Sequence, residues 1–256
     1  MVKKEKLSWS SNAGKPYETE SGNRTVHSLT PEELKIAYQP IVDLQKGEAY
    51  AYEALVRCEV EEYANPTVLF KQAVKEDRCG QLGRKIRDAI FSTNVGTRLF
   101  INVHPDELRS RWLVRPDDPI CYSKEEIFLE VTESATLQYY DLCVSVLKEV
   151  CSRTGAHLVI DDLGAGYSNL KRIVDLYPDM VKLDLALARD LDKNKRKRIL
   201  VTHLVQLCVE LDAKVVIEGI ETLDELKAAC DTGAHYAQGY YLARPAFPPP
   251  HVSWPL

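Results

Sequence analysis

Long hydrophobic runs are missing from this 256-residue chain: the longest, LFINV and VVIEGI, fall far short of the ~20 residues that a membrane helix needs. No membrane insertion is therefore expected. The opening MVKKEKLSWSSNAGKPYETES lacks the apolar stretch of a secretory signal. An excess of basic charge is missing too. Thirty-three Lys and Arg against 38 Asp and Glu give a net charge of −5, so a general electrostatic grip on DNA or RNA is not supported. The seven cysteines (58, 79, 121, 143, 151, 208 and 230) contain no Cys-x-x-Cys pair. An odd, scattered set argues against a disulfide framework or zinc ribbon, and for reduced thiols in a cytoplasm. No phosphate-binding GxxxxGK[ST] loop occurs. Gly164-Ala165-Gly166 starts like a dinucleotide fingerprint, but Asn169 stands where the third glycine belongs, which removes that reading. Neither a Gly/Ser linker nor a repeat of solenoid length divides the chain.

What remains suits one large core. Hydrophobic residues make up 45% and charged residues 28%, an ordinary soluble balance. Residues 1–29 are polar and without periodicity, and read as a flexible N-terminal extension before a folded domain at 30–256. Thr30 followed by Pro31 reads as a helix start. Strand-like runs follow at 36–44, 48–56, 98–103, 126–131, 157–162, 180–185, 214–218 and 236–242. Amphipathic helical stretches separate most of them, for instance 137–154, about 189–212 and 223–233. Eight strands alternating with helices in this length imply an α/β fold, a (β/α)8 TIM-like barrel, with an open doubly wound sheet as the alternative. Gln45-Lys46-Gly47 is too short for a parallel crossover, so the first strand should run antiparallel to the second.

Polar residues close these apolar runs. Strands two to eight end on Glu53, Asn102, Glu130, Asp161 with Asp162, Lys182, Glu218 and Gln238. One acidic residue after a strand is commonly a helix cap. A series of five carboxylates, two amides and one lysine is not explained that way, and in a barrel these ends ring the mouth where chemistry is done. Five carboxylates and one ammonium carry a charge of roughly −4, which calls for counter-ions. Oxygen ligands suit hard cations such as Mg²⁺ or Mn²⁺, and the scarcity of Cys and His disfavours zinc. Adjacent Asp161 and Asp162 can both face inward only where the strand yields to a loop. Two metals bridged by such a pair are a recurrent means of hydrolysing phosphate esters. The basic run Lys193–Arg198 reads as a solvated helix face.

The motifs Tyr38-Gln39-Pro40, Glu53-Ala54-Leu55-Val56-Arg57, Glu130-Val131-Thr132-Glu133, Asp161-Asp162-Leu163-Gly164-Ala165-Gly166, Lys182-Leu183-Asp184, Glu218-Gly219-Ile220-Glu221 and Gln238-Gly239-Tyr240, with Asn102, resemble the EAL-domain cyclic di-GMP phosphodiesterases of bacteria. The resemblance covers about residues 30–246. It implies a barrel with a reversed first strand and metal-dependent hydrolysis of cyclic di-GMP to linear pGpG. By analogy Glu53, Asn102, Glu130, Asp161, Asp162 and Glu218 hold two Mg²⁺ or Mn²⁺ ions, and Gln238 supports the second ion or its water. Lys182 orients the attacking water, acting with the carboxylates of Glu53, Asp161, Asp162 and Glu218. Gln39, Leu55 and Arg57 contact the dinucleotide, Arg57 through a phosphate, while Glu133 and Glu221 are supporting acids, Glu133 bracing the loop after Asp162. Leu163, Ala165 and His104 depart from the residues usual in the family without removing a ligand. A homodimer, control by the extension or by a regulatory protein in trans, and a cytoplasmic location are expected. Two alternatives stay open: a catalytically quiet protein that binds cyclic di-GMP or a partner, and a hydrolase of another phosphodiester.

Overall fold

Asp43 and Gly47 start the barrel. The Asp43 carboxylate accepts the N–H groups of Gln45 (2.9 Å) and Lys46 (3.0 Å), and Gly47 takes φ +71°. A Cβ at Gly47 would also sit 2.4 Å from the Trp254 ring, so glycine is required on both counts. The turn joins strands β1 (Leu34–Asp43) and β2 (Ala49–Cys58), which pair antiparallel as expected. The computed structural model describes residues 24–93, 95–132, 140–165 and 170–255.

Six further strands complete a closed barrel in chain order: β3 (Leu99–Asn102), β4 (Ile127–Thr132), β5 (His157–Leu163), β6 (Met180–Leu183), β7 (Lys214–Ile217) and β8 (Tyr236–Ala237). All pair parallel except β1, which is antiparallel to both β2 and β8. The helices described are α1 (Pro66–Lys75), α2 (Cys79–Ser92), α3 (Pro105–Arg109), α4 (Tyr140–Thr154), α5 (Lys171–Leu176), α6 (Leu185–Ala188), α7 (Lys195–Glu210) and α8 (Leu223–Asp231). Among the described residues no helix is long and apolar enough to cross a membrane.

The core has two parts. Ile41, Ala51, Phe100, Phe128, Val159, Met180, Val216 and Tyr236, one residue from each strand, plug the barrel interior. The second part lies between strands and helices and includes Leu69, Ile101, Leu129, Val181 and Val205. Helix α7 shows why: Asn194 caps it by accepting the Lys197 N–H (3.1 Å), and Val201, Val205 and Cys208, spaced for one face, are buried.

Several expectations are revised. The helix expected over about 189–212 starts only at Lys195, because Asp190 adopts φ +55° and residues 189–194 turn the chain between α6 and α7. The run Lys193–Arg196 is exposed at the start of α7, whereas Lys197 reaches the carbonyls of Ala186 and Arg189. The strand expected over 236–242 is only Tyr236–Ala237. Beyond it β1 pairs instead with Ala246 through both backbone groups of Tyr38, at 2.8 and 3.1 Å. Thr30-Pro31 opens only a 3-10 turn, Pro31–Glu33, before β1 begins.

Residues 24–29, read from sequence as part of the extension, are docked on the barrel. Val26 and Leu29 are buried, Glu76 accepts the Val26 N–H, and Lys85 Nζ reaches the carbonyls of His27 and Leu29. Their periodicity is invisible because one 3-10 turn and two anchors do it all. Residues 1–23 lie outside the described set.

Candidate active site

Side chains two residues apart on a strand share a face, so the residue after next from each plug residue must also face the barrel interior. On the seven strands running toward the mouth those residues are Glu53, Asn102, Glu130, Asp161, Lys182, Glu218 and Gln238. On β1, which runs the other way, the count is backward from Ile41 and lands on Gln39. An apolar layer therefore carries a polar layer of eight directly above it.

Lys182 organises that layer. It is fully buried, and its Nζ lies 2.7 Å from Glu130, 2.9 Å from Glu218, 3.2 Å from Glu53 and 3.4 Å from Asp161. Burial alone would pull the ammonium pKa down, but the four carboxylates together hold it well above the usual lysine value. Glu130 is driven the opposite way from an ordinary carboxylate. Burial and then the Glu53 charge raise its pKa well above normal, although Lys182 opposes them. Amides tie the rest together. Asn102 Nδ2 donates to Glu53 Oε1 (2.9 Å), and Gln238 Nε2 donates to Glu53 Oε2 (2.7 Å) and Gln39 Oε1 (3.3 Å). Gln39 Nε2 donates to the Ala243 carbonyl (3.2 Å).

The Asp161–Asp162 pair meets its geometric demand by a backbone distortion. The β5–β6 register shifts between Ile160 and Leu163, and Asp162 takes φ +58°. A bulge of this kind re-aims a side chain. The outcome is that Asp161, Asp162 and Glu218 present carboxylate oxygens within 4.8 Å of one another. Gly219, next to Glu218, has φ +75°, and a Cβ there would lie 2.3 Å from Leu185 Cβ, so no other residue turns the chain at that point without displacing α6.

The residue set fits divalent cations. Every inward donor of the acids and amides available to a metal is oxygen. Glu130 Oε2 and Gln238 Oε1 are buried with no hydrogen-bond partner among the described residues, so two acceptors are already desolvated and aimed inward. Four carboxylates surround one ammonium, and Asp162 joins Asp161 and Glu218 beside them.

The remaining expected residues lie farther out. Glu53 is in the middle of β2 rather than at its end, because the β1–β2 hairpin continues past the mouth; Leu55 and Arg57 follow on the same face of that extension. Arg57 is half-buried and donates to the Val56 carbonyl (2.8 Å). Glu221 is exposed. The buried acid in its neighbourhood is Glu225, which accepts the N–H groups of Glu221 (2.9 Å), Thr222 (3.2 Å) and Asp190 (3.1 Å). Sequence reading missed Glu225, although Thr222-Leu223-Asp224-Glu225 has the pattern of a capping box. Glu133 and Gly166 lie outside the described residues. Leu163 is buried on β5 and Ala165 is exposed. His104 is buried and caps α3 by accepting the Asp106 N–H at 3.2 Å; burial pushes its pKa down to about 4.

Comparison with known proteins agrees with this geometry. The EAL domain family model matches residues 23–245. The cyclic di-GMP phosphodiesterase NbdA of Pseudomonas aeruginosa is 28% identical over 235 residues, 85% of this chain and 30% of its own length. The cyclic di-GMP phosphodiesterase PdeR of Escherichia coli is 28% identical over 231 residues, 85% of this chain and 35% of its own length. The chain thus spans about a third of those curated relatives. Among solved structures, a calcium and cyclic di-GMP complex of Klebsiella pneumoniae BlrP1 superposes with a TM-score of 0.79 at 28% identity, covering 89% of this chain and 60% of that one. A manganese and cyclic di-GMP complex of the same protein gives 0.76 at 29% identity, covering 88% and 59%. The chain belongs to the EAL domain family.

Proposed function

We propose that this EAL domain hydrolyses cyclic di-GMP to linear pGpG with two divalent ions, Mg²⁺ or Mn²⁺, as cofactors. The observation that carries the reading is the closed polar layer, in which four carboxylates converge on one buried lysine above an apolar floor. Its relatives' names and the metal and cyclic di-GMP complexes of BlrP1 support the same chemistry.

Glu53, Asn102, Glu130, Asp161, Asp162 and Glu218 would hold the ions, with Gln238 supporting them. Bound there, the ions would screen the phosphate charge and lower the pKa of water so that hydroxide is available near neutral pH. Lys182 Nζ, fixed among the carboxylates, orients the attacking water. Addition of the water oxygen to phosphorus accompanies breakage of the bond to the 3′ oxygen. That 3′ oxygen takes one water proton, and the carboxylate cluster takes the other before it passes to solvent. Gln39, Leu55 and Arg57 lie on the hairpin side of the mouth, where the Arg57 guanidinium suits a phosphate. The apolar plug below closes the barrel to bulk water, which strengthens each charge interaction above it.

The test is turnover of cyclic di-GMP by the purified chain with Mg²⁺, Mn²⁺ or chelator, beside Glu53→Ala. Metal-dependent pGpG that disappears in the variant is the expected result. Saturable binding without turnover in either metal would replace the enzyme with a cyclic di-GMP receptor. Faster cleavage of another dinucleotide would change the substrate.

A further inference from the structure

Away from the mouth, three unlike ligands meet where α2, α3 and the end of β3 come together. Cys79 begins α2, His104 precedes α3, and Asp106 lies in the first turn of α3. One ligand atom from each, a sulfur, an imidazole nitrogen and a carboxylate oxygen, lies within 4.8 Å of the other two. Cys79 and His104 are buried, whereas the Asp106 side chain is 37% exposed and forms the entrance. The His104 ring is stacked on Phe70, with centroids 5.6 Å apart and planes within 9°, so its orientation is set before any ligand arrives, and its one lone-pair nitrogen would pass from the Asp106 N–H to the metal on binding.

We propose that Cys79, His104 and Asp106 form a second metal site, which takes a borderline-soft divalent cation of the zinc class. The donor set makes the selection. Sulfur and imidazole favour such a cation, while the barrel mouth offers oxygen and favours Mg²⁺ or Mn²⁺. Tetrahedral bonds to zinc of about 2.0–2.3 Å put ligand atoms about 3.5 Å apart, close to the 3.8 Å between His104 Nδ1 and Asp106 Oδ2, so only a small contraction is needed. Rotation of the exposed Asp106 carboxylate supplies that movement. Three protein ligands leave a fourth position for water on the open side. On binding, the Cys79 thiol releases its proton to solvent, and thiolate and carboxylate balance the two charges of the ion. Only Val103 separates His104 from Asn102, so the occupied site would pin the β3–α3 corner beside the polar layer. This inference is independent of whether the mouth hydrolyses cyclic di-GMP.

Cobalt is the probe, because a thiolate-to-cobalt charge-transfer band in the ultraviolet cannot arise from an all-oxygen site. Full chain held in excess Mg²⁺ and titrated with Co²⁺ should show the band saturating at one equivalent. Cys79→Ser should abolish it, and His104→Gln should weaken Co²⁺ binding at least tenfold. Absence of the band, or its persistence in Cys79→Ser, overturns the proposal. Should either variant fail to fold, X-ray absorption of the zinc-loaded wild-type chain replaces it. One sulfur at about 2.3 Å among nitrogen and oxygen neighbours is expected, and a shell without sulfur overturns the site.

Discussion

Lys182 Nζ lies 2.7 Å from Glu130 Oε1, and both side chains are shut off from solvent. The pair joins opposite charges in the barrel mouth, with three more carboxylates on the same ammonium. Removing the lysine leaves buried negative charge without a counter-ion. Lys182→Met should lower metal-free stability by about 3–5 kcal/mol in urea unfolding. Divalent cation should restore part of that loss, since it takes over the neutralisation. Equal stability of variant and wild type in chelator would contradict the arrangement.

The floor under the polar layer is a second determinant. Phe100 and Phe128 stack with centroids 4.4 Å apart and planes within 6°. Phe128→Ala should cost about 3–5 kcal/mol through the cavity it opens below Glu130. A deficit under about 1 kcal/mol would mean that the site collapses around the smaller residue.

Glu225 braces the turn after Glu218 through the N–H groups of Glu221 and Thr222 and ties it to the Asp190 N–H. Glu225→Ala should reduce stability by about 0.5–2 kcal/mol as a lost cap. It should also weaken Mn²⁺ binding about 10- to 100-fold, as loss of a supporting contact does. Calorimetric titration reads the second effect; unchanged affinity would reduce Glu225 to a helix cap.

A buried ion triad outside the mouth predicts a pH dependence. Arg87 contacts Glu107 at 2.5 Å and Asp118 at 2.6 Å, all three side chains being buried. Burial pushes the Glu107 pKa up to about 7, even though Arg87 pulls it down. Its folded pKa stands above the ordinary value of 4.5, so its contribution is largest at low pH and is lost as pH rises through about 7. Arg87→Met removes the opposing charge and should cost about 3–5 kcal/mol. That deficit should be smaller near pH 5 than near pH 8, where Glu107 is ionised. A deficit independent of pH would disprove the sign.

Arg57 sits on the outer hairpin, clear of the polar layer. Under the proposed function Arg57→Lys loses a forked phosphate contact, about 1.5 kcal/mol for one charge-assisted hydrogen bond. KM should rise about tenfold with kcat nearly unchanged. A fall in kcat at constant KM would move Arg57 into the reaction itself.

How much of this is legible in the chain depends on the distance over which each feature is encoded. The hairpin is local, written in Asp43 and Gly47. The polar layer is local as well: each member follows its plug residue by two positions, and the pleat makes them share a face. Gln39 belongs to the layer although it precedes its plug residue, because β1 is reversed; strand-end reading left it out, and the family resemblance placed it only at the dinucleotide. Glu225 was legible in principle from a four-residue pattern. The end of β8, the break at Asp190 and the docking of Val26 and Leu29 were not, since each depends on what lies across the fold.

Residue types, strand order and the alternation of faces came from the sequence by itself, because backbone geometry imposes period two on any strand. Tertiary structure alone decided that one lysine meets four carboxylates drawn from β2, β4, β5 and the end of β7, and that Asp162 turns inward at a bulge. It also decided that Cys79 meets His104 and Asp106, 25 and 27 positions further along the chain. Closure of the barrel and packing of its helices set those distances, and neither is contained in any short segment.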